Sequence, residues 1–528
     1  MIRPLAVGLL VWTGVVASAA SASEPELAAG SLQASDLTRL SQAHVQDGEP
    51  LVLVRDGAPA ASVVTADAPR ARAGAFYLQS VIRRMTGVEL PLVLVRDGQD
   101  WPASTPGLHL TDDGDATNEA FAVETTDAAV VFRGRTDFAA YDWAERVLDV
   151  RTYWDPQAGG EVIPGTRGLA VPRVAYADRP VFAYRVHYPF HDRLWAKVAK
   201  VGASFDLGFT VHSTPPGVCY GSPEAFADYV RQIDERIAGV TNGCRTVDVR
   251  LKTVSVSPWD EPYGCACRWC RTLRSHASGV AGDASPIVWG TFLPRLSHWL
   301  AERHPDYRIV FLPYWNYMRL PPRPFGEPLR LDNATAFVCN VAGVARLASP
   351  EIRAREEAMM RGWQAATGRK IVIWDYACWP AEESVAPYVC GRTIRAHLDA
   401  MRTVTDGVFI CGTGELARLS LLLYVWQRCL WNPELDVEAV YDEFCRRLFG
   451  PAAEPMRRVV ALQESAWRPP RLDFAPESVA ELHRLLLSAQ DTLDADASPE
   501  GDVRRRRFAY YASGFSRQFA ACADRRER

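Results

Sequence analysis

The sequence predicts a (β/α)8 barrel of the TIM type, preceded by a small α+β domain and followed by a helical C-terminal region. Three observations carry this. From about residue 178, short apolar runs alternate with amphipathic stretches in the rhythm strand, loop, helix. Those runs are apolar almost throughout, as strands covered on both faces are. No Gly-x-Gly-x-x-Gly turn follows a first strand, which disfavours an open doubly wound sheet.

The 528 residues suggest about three domains. Hydrophobic residues make up 48% and charged residues 23%, enough apolar surface for large cores. The formal net charge of -4 gives no electrostatic case for nucleic acid. Residues 1–22 read as a secretory signal. Arg3 supplies its positive start, Leu5 to Val16 its apolar run, and the small residues 17–22 a cleavage site. No membrane anchor is expected after cleavage, and the expected location is periplasmic or secreted.

Residues 23–177 read as the α+β domain. Residues 50–54 and 90–95 are strands. Residues 68–86 form a helix burying Ala71, Ala75, Leu78, Ile82 and Met85, ended by Gly87. Residues 121–124 and 129–134 resemble an antiparallel pair, and 136–150 a second helix. Asp178-Arg179-Pro180 marks a boundary, and the barrel spans 178–450. Its expected strands are 181–188, 206–211, 247–256, 308–314, 336–341, 370–375 and 406–411, with an eighth not apparent. Helices are expected over 223–238, 286–303 and 351–366. Residues 451–528 carry helical periodicity alone.

The catalytic end of such a barrel is the C-terminal end of its strands. Residues 247–256 read as one strand delivering Asp260 and Glu261 there, behind Trp259 and between Pro258 and Pro262. Other strand ends bring His187 with Tyr188, His212, Tyr314 with Trp315 and Asn316, Asn340, Trp374 with Asp375 and Tyr376, and Glu415. Carboxylates among aromatic platforms, with few cations, suit neutral carbohydrate. The carboxylates perform acid/base work and the rings stack on sugars. Asp260, Glu261, Asp375 and Glu415 are therefore the catalytic candidates. His187, His212, Trp259, Tyr314, Trp315, Asn340, Trp374 and Tyr376 are the substrate-binding ones. No cofactor is expected.

Cys265, Cys267 and Cys270 follow at Cys-x-Cys-x-x-Cys spacing. In an oxidising compartment they read first as a disulfide staple, with Cys219 or Cys244 as partners. The alternative is a structural zinc site with a fourth ligand such as His276.

Four stretches carry a family resemblance. Ala75 to Pro91 resembles the accessory domain that precedes the barrel in α-glucuronidases and β-hexosaminidases. Ser255 to Cys270 resembles the Ser-x-x-Asp…Cys-x-Cys-x-x-Cys signature of the domain of unknown function 4838, and two further stretches, His304 to Tyr314 and Leu430 to Ala453, also resemble that family. That family includes glycoside hydrolase family 163. The resemblance implies endo-β-N-acetylglucosaminidase activity, with Glu261 as acid and Asp260 orienting the substrate's acetamido group. Two other readings stand beside it: an inverting, α-glucuronidase-like hydrolase using Asp375 and Glu415, and a non-catalytic glycan-binding protein on a hydrolase scaffold.

Overall fold

The structure, a computed structural model, describes residues 44–111, 119–188, 193–203, 207–214, 217–274, 282–321, 329, 331–340, 343–376, 389–411, 416–465 and 475–515. The signal segment, Glu415 and His276 lie outside the described residues.

Six parallel strands form the centre of an eight-stranded sheet. They are Tyr184–Tyr188, Thr253–Val256, Arg308–Phe311, Ala334–Asn340, Ile371–Asp375 and Thr405–Cys411. Each pairs with the next in the chain from Thr253–Val256 onward, and the first pairs with the last. That neighbour order is the one barrel strands take, and here it forms a curled half-barrel sheet. Two short antiparallel strands, Gly202–Ala203 and Val247–Asp248, flank the row.

The expected strand over 206–211 is not a ladder strand. Residues 207–214 occupy its place beside Thr253–Val256 and are held chiefly by side-chain hydroxyls. Thr210 N–H donates to Ser255 Oγ (3.0 Å), which donates back to the Thr210 carbonyl (3.0 Å). His212 N–H donates to Ser257 Oγ (3.2 Å), and Ser213 Oγ to the Ser255 carbonyl (2.8 Å). The close approach needs Gly208, where an added Cβ would stand 2.1 Å from Thr253 Oγ1. The described residues therefore give six parallel strands and one irregular segment rather than eight parallel strands.

The single strand expected over 247–256 is also corrected. Val247–Asp248 and Thr253–Val256 form an antiparallel hairpin. Asp248 Oδ1 accepts the Leu251 N–H (2.9 Å) and Lys252 takes φ 52°.

Alternation along the strands sorts side chains into two cores. Leu207, Val310, Phe337, Cys339, Val372 and Trp374 fill the barrel interior with Cys411, and Phe209 stacks on Phe337 at 4.6 Å. Residues of opposite parity, such as Val254, Ile309, Val338 and Ile373, meet the surrounding helices. Among these helices are Pro223–Ile237, Pro350–Thr367, Gly391–Met401 and the apolar Leu416–Trp431. Serine caps, Ser222 and Ser349, start the first two.

The N-terminal part builds a six-stranded mixed sheet in the order Ala175–Asp178, Phe121–Thr125, Ala129–Gly134, Gly107–Leu110, Ser62–Ala66, Leu92–Val95. Helices Pro69–Thr86 and Thr136–Arg146 pack against each other beside it. Gly87 ends the first with φ 77°.

Buried ion pairs join this part to the barrel and to the helices near the C-terminus. Asp142, on the second helix, accepts from Arg146 (2.6 Å) and from Lys200. Arg151 reaches Glu443 at 2.8 Å, and Arg428 reaches Glu145 at 2.8 Å. The C-terminal residues are helical where described: Val437–Phe449, Ala453–Ser465, Pro476–Asp494 and Gly501–Ser513. No helix among the described residues is long and apolar enough to cross a membrane.

Candidate active site

Beyond Val256 the chain leaves the barrel as Ser257-Pro258-Trp259-Asp260-Glu261. His212, carried by the irregular segment, stacks on Trp259 with ring centroids 5.1 Å apart and 23° between planes. Its backbone is left-handed at φ 51°, a costly conformation for a non-glycine residue. His212 Nε2 lies 3.4 Å from Asp260 Oδ2, and Nδ1 lies 3.4 Å from the Pro258 carbonyl. With a carboxylate on one nitrogen and a carbonyl on the other, the doubly protonated ring satisfies both. The hydrogen bond to Asp260 accordingly raises the His212 pKa, against the burial that opposes it. Trp259 is 42% exposed, and its indole N–H donates to the Thr214 carbonyl (2.9 Å).

A second group stands on neighbouring strand ends. Tyr314 stacks on Tyr376 at 6.3 Å and meets Trp315 edge-on at 5.5 Å. Trp315 is exposed and, like His212, left-handed, with φ 49°. Tyr317 ties the two groups together by donating its hydroxyl to the Trp259 carbonyl (3.4 Å). The Cys411 thiol is pushed up to about 12, first by burial and then by the negative charges of Asp260 and Asp375.

The adjacent carboxylates face different spaces, as strand alternation implies. Asp260 turns to His212 on the irregular segment, with Nε2 3.4 Å from Oδ2. Glu261 instead lines an outer cleft of about 380 Å³ with Gly217, Val218, Tyr220, Trp259 and Tyr263. Trp259 borders both.

Four expected substrate or catalytic residues stand elsewhere. His187 has the outward parity of Arg185 and is buried against Trp195, facing the helical layer. Trp374 plugs the barrel interior against Phe409 (4.3 Å) and Phe209 (6.0 Å), so it offers no platform. Asn340 and Asp375 share outward parity and 0% exposure, and Asn340 Nδ2 donates to Asp375 Oδ2 at 2.7 Å. They form a buried pair beneath the strand ends. Asn316 clamps the loop instead of facing a ligand, since its amide bonds both N–H and C=O of Tyr263 (3.0 and 3.2 Å).

The cysteines converge more fully than their spacing implies. The sulfurs of Cys219, Cys265, Cys267 and Cys270 lie within 4.8 Å of one another. Cys219 Sγ stands 3.5–3.7 Å from the other three, beyond disulfide bonding distance. Sequence reasoning misses Tyr263 and Tyr317, because a tyrosine in a loop carries no local signal of such a role.

The model of the family described as Domain of unknown function (DUF4838) matches residues 212–461. The match starts at His212 and takes in Trp259, Asp260, Glu261 and all four of these cysteines. No curated protein matches the chain. Solved structures give looser likenesses. A GH138 enzyme targeting pectin rhamnogalacturonan II shares 10% identity at TM-score 0.37, over 87% of this chain and 70% of that one. The Streptomyces plicatus N-acetyl-beta-hexosaminidase shares 14% identity at TM-score 0.35, over 82% of this chain and 97% of that one. Both likenesses are distant.

Proposed function

We propose that the protein is an exported glycoside hydrolase acting on N-acetylhexosamine-containing glycans, with the substrate's own acetamido group as nucleophile. The observation that carries this is the setting of Asp260: just beyond a strand end, paired with His212 and carried beside Trp259, with the aromatic group of Tyr314, Trp315 and Tyr376 on neighbouring strand ends.

In this reading the sugar whose bond breaks sits on the barrel side, over the aromatic rings. Asp260 accepts the acetamido N–H and aims its carbonyl oxygen at the anomeric carbon. The leaving glycan runs into the outer cleft, where Glu261 stands. Glu261 donates its proton to the departing glycosidic oxygen while the acetamido oxygen bonds to the anomeric carbon. The resulting carboxylate then takes a proton from water, which opens the ring with net retention. Trp259, bordering both spaces, supplies an apolar face at the point of cleavage.

Aryl N-acetylhexosaminides and N-glycans released from glycoprotein test the reading, with Glu261→Gln and Asp260→Ala beside wild type. Glu261→Gln should lose about 10²–10⁴-fold on natural glycans and much less on activated aryl substrates, which need no acid. Asp260→Ala should lose activity on both. Wild type that binds these glycans without cleaving any would overturn the enzymatic reading. Glu261→Gln matching wild type on natural glycans would move the acid elsewhere.

A further inference from the structure

We infer that Cys219, Cys265, Cys267 and Cys270 form a tetrathiolate site for one zinc ion, which fixes the loop carrying Trp259, Asp260 and Glu261. A tetrahedral zinc with Zn–S bonds of about 2.3 Å separates its sulfurs by about 3.8 Å. Here Cys219 Sγ lies 3.5 Å from Cys267, 3.6 Å from Cys270 and 3.7 Å from Cys265. Disulfide sulfurs would stand at about 2.05 Å. One sulfur sitting a tetrahedral edge from each of three others is the arrangement a metal needs and paired disulfides do not.

The surroundings suit thiolates. Cys270 N–H donates to Cys267 Sγ (3.4 Å), and the Tyr263 hydroxyl lies 3.1 Å from Cys270 Sγ. The chain also makes room for the fourth ligand. Two residues beyond Cys219 is Gly221, where an added Cβ would stand 2.8 Å from Cys270 Sγ. Binding balances as four thiols releasing four protons to solvent and the four thiolates taking one Zn²⁺, which leaves a net charge of minus two. All four positions are taken by protein, so the ion has no open site for substrate and its role is structural. What it holds is specific. Tyr263, which also receives the Tyr220 N–H (3.0 Å), lies between the cluster and the Asp260–Glu261 pair.

The test counts metal and does not depend on any activity. The full chain is purified without chelator and analysed by plasma mass spectrometry and zinc-edge X-ray absorption. The expected result is close to one zinc per chain with four sulfurs at about 2.3 Å. Cys219→Ser should hold zinc at least tenfold more weakly. Should that variant fail to fold, wild type is titrated with a mercurial thiol reagent, and zinc release should follow blockage of these thiols. Metal-free protein carrying disulfides among these four cysteines would overturn the assignment. So would stoichiometric iron in place of zinc, or free thiols that take up no added zinc.

Discussion

Asp142→Asn tests how the N-terminal sheet is joined to the barrel. The Asp142 carboxylate is fully buried and faces two cations, Arg146 and Lys200. Burial alone would raise its pKa, but the two cations overcome it and hold the carboxyl down at about 2, from an ordinary 3.8. That gap corresponds to roughly 2 kcal/mol of stability at neutral pH. The amide keeps the shape but leaves Arg146 and Lys200 buried beside less negative charge. Breaking a buried pair in this way costs about 3–5 kcal/mol. Arg146 also reaches Asp178 at 3.3 Å, which puts the expected loss toward the lower figure. Scanning fluorimetry should then give a fall in Tm of about 3 °C. The sign with pH follows from the depressed pKa. The contribution is complete above about pH 4 and is lost as pH falls through about 2, so wild type and variant should converge in acid. A Tm within 1 °C of wild type at pH 7, or a gap that widens in acid, would refute the reasoning.

Three further outcomes are expected. Asp260→Asn removes the partner that raises the His212 pKa, so the His212 ring should titrate at lower pH by NMR, with little change in Tm because Asp260 is 64% exposed. In wild type that pair contributes fully below the unfolded His pKa and fades as pH rises through the folded one. Gly221→Ala pushes a methyl against Cys270 Sγ and should cost about 1–3 kcal/mol in chemical denaturation. Trp259→Ala opens the surface between barrel and outer cleft, and should raise KM for glycans more than it lowers kcat for small aryl substrates.

Much of the frame was legible because local chemistry and tertiary packing agree there. The helix Pro69–Thr86 shows its buried stripe and its terminal glycine in the sequence, and the barrel strands from Arg308 to Cys411 announce themselves as apolar runs. The site was legible only in part. Position along a strand nominated His187, Trp374, Asn340 and Asp375, but side-chain parity decides which face a residue serves. Tyr184 and Phe337 face inward, so Arg185, His187 and Asn340 face outward. Trp374 faces inward but too deep, at 6% exposure. The turn at Asp248–Lys252 was hidden because β-branched residues on both sides mimic one long strand. Cys219 could not be placed among the other thiols by spacing alone, since 46 residues separate it from Cys265.

The irregular wall at 207–214 has a consequence for how this site can change. Elsewhere in the barrel, neighbours are joined by main-chain bonds that any residue can make. Here Ser255, Ser257 and Ser213 supply most of the joins, and His212 depends on one of them. A single methyl or lost hydroxyl at those serines can therefore shift or free the imidazole without disturbing the strands on either side. That makes this seam the part of the barrel most open to retuning by point substitution, and the Asp260 environment the first property to follow.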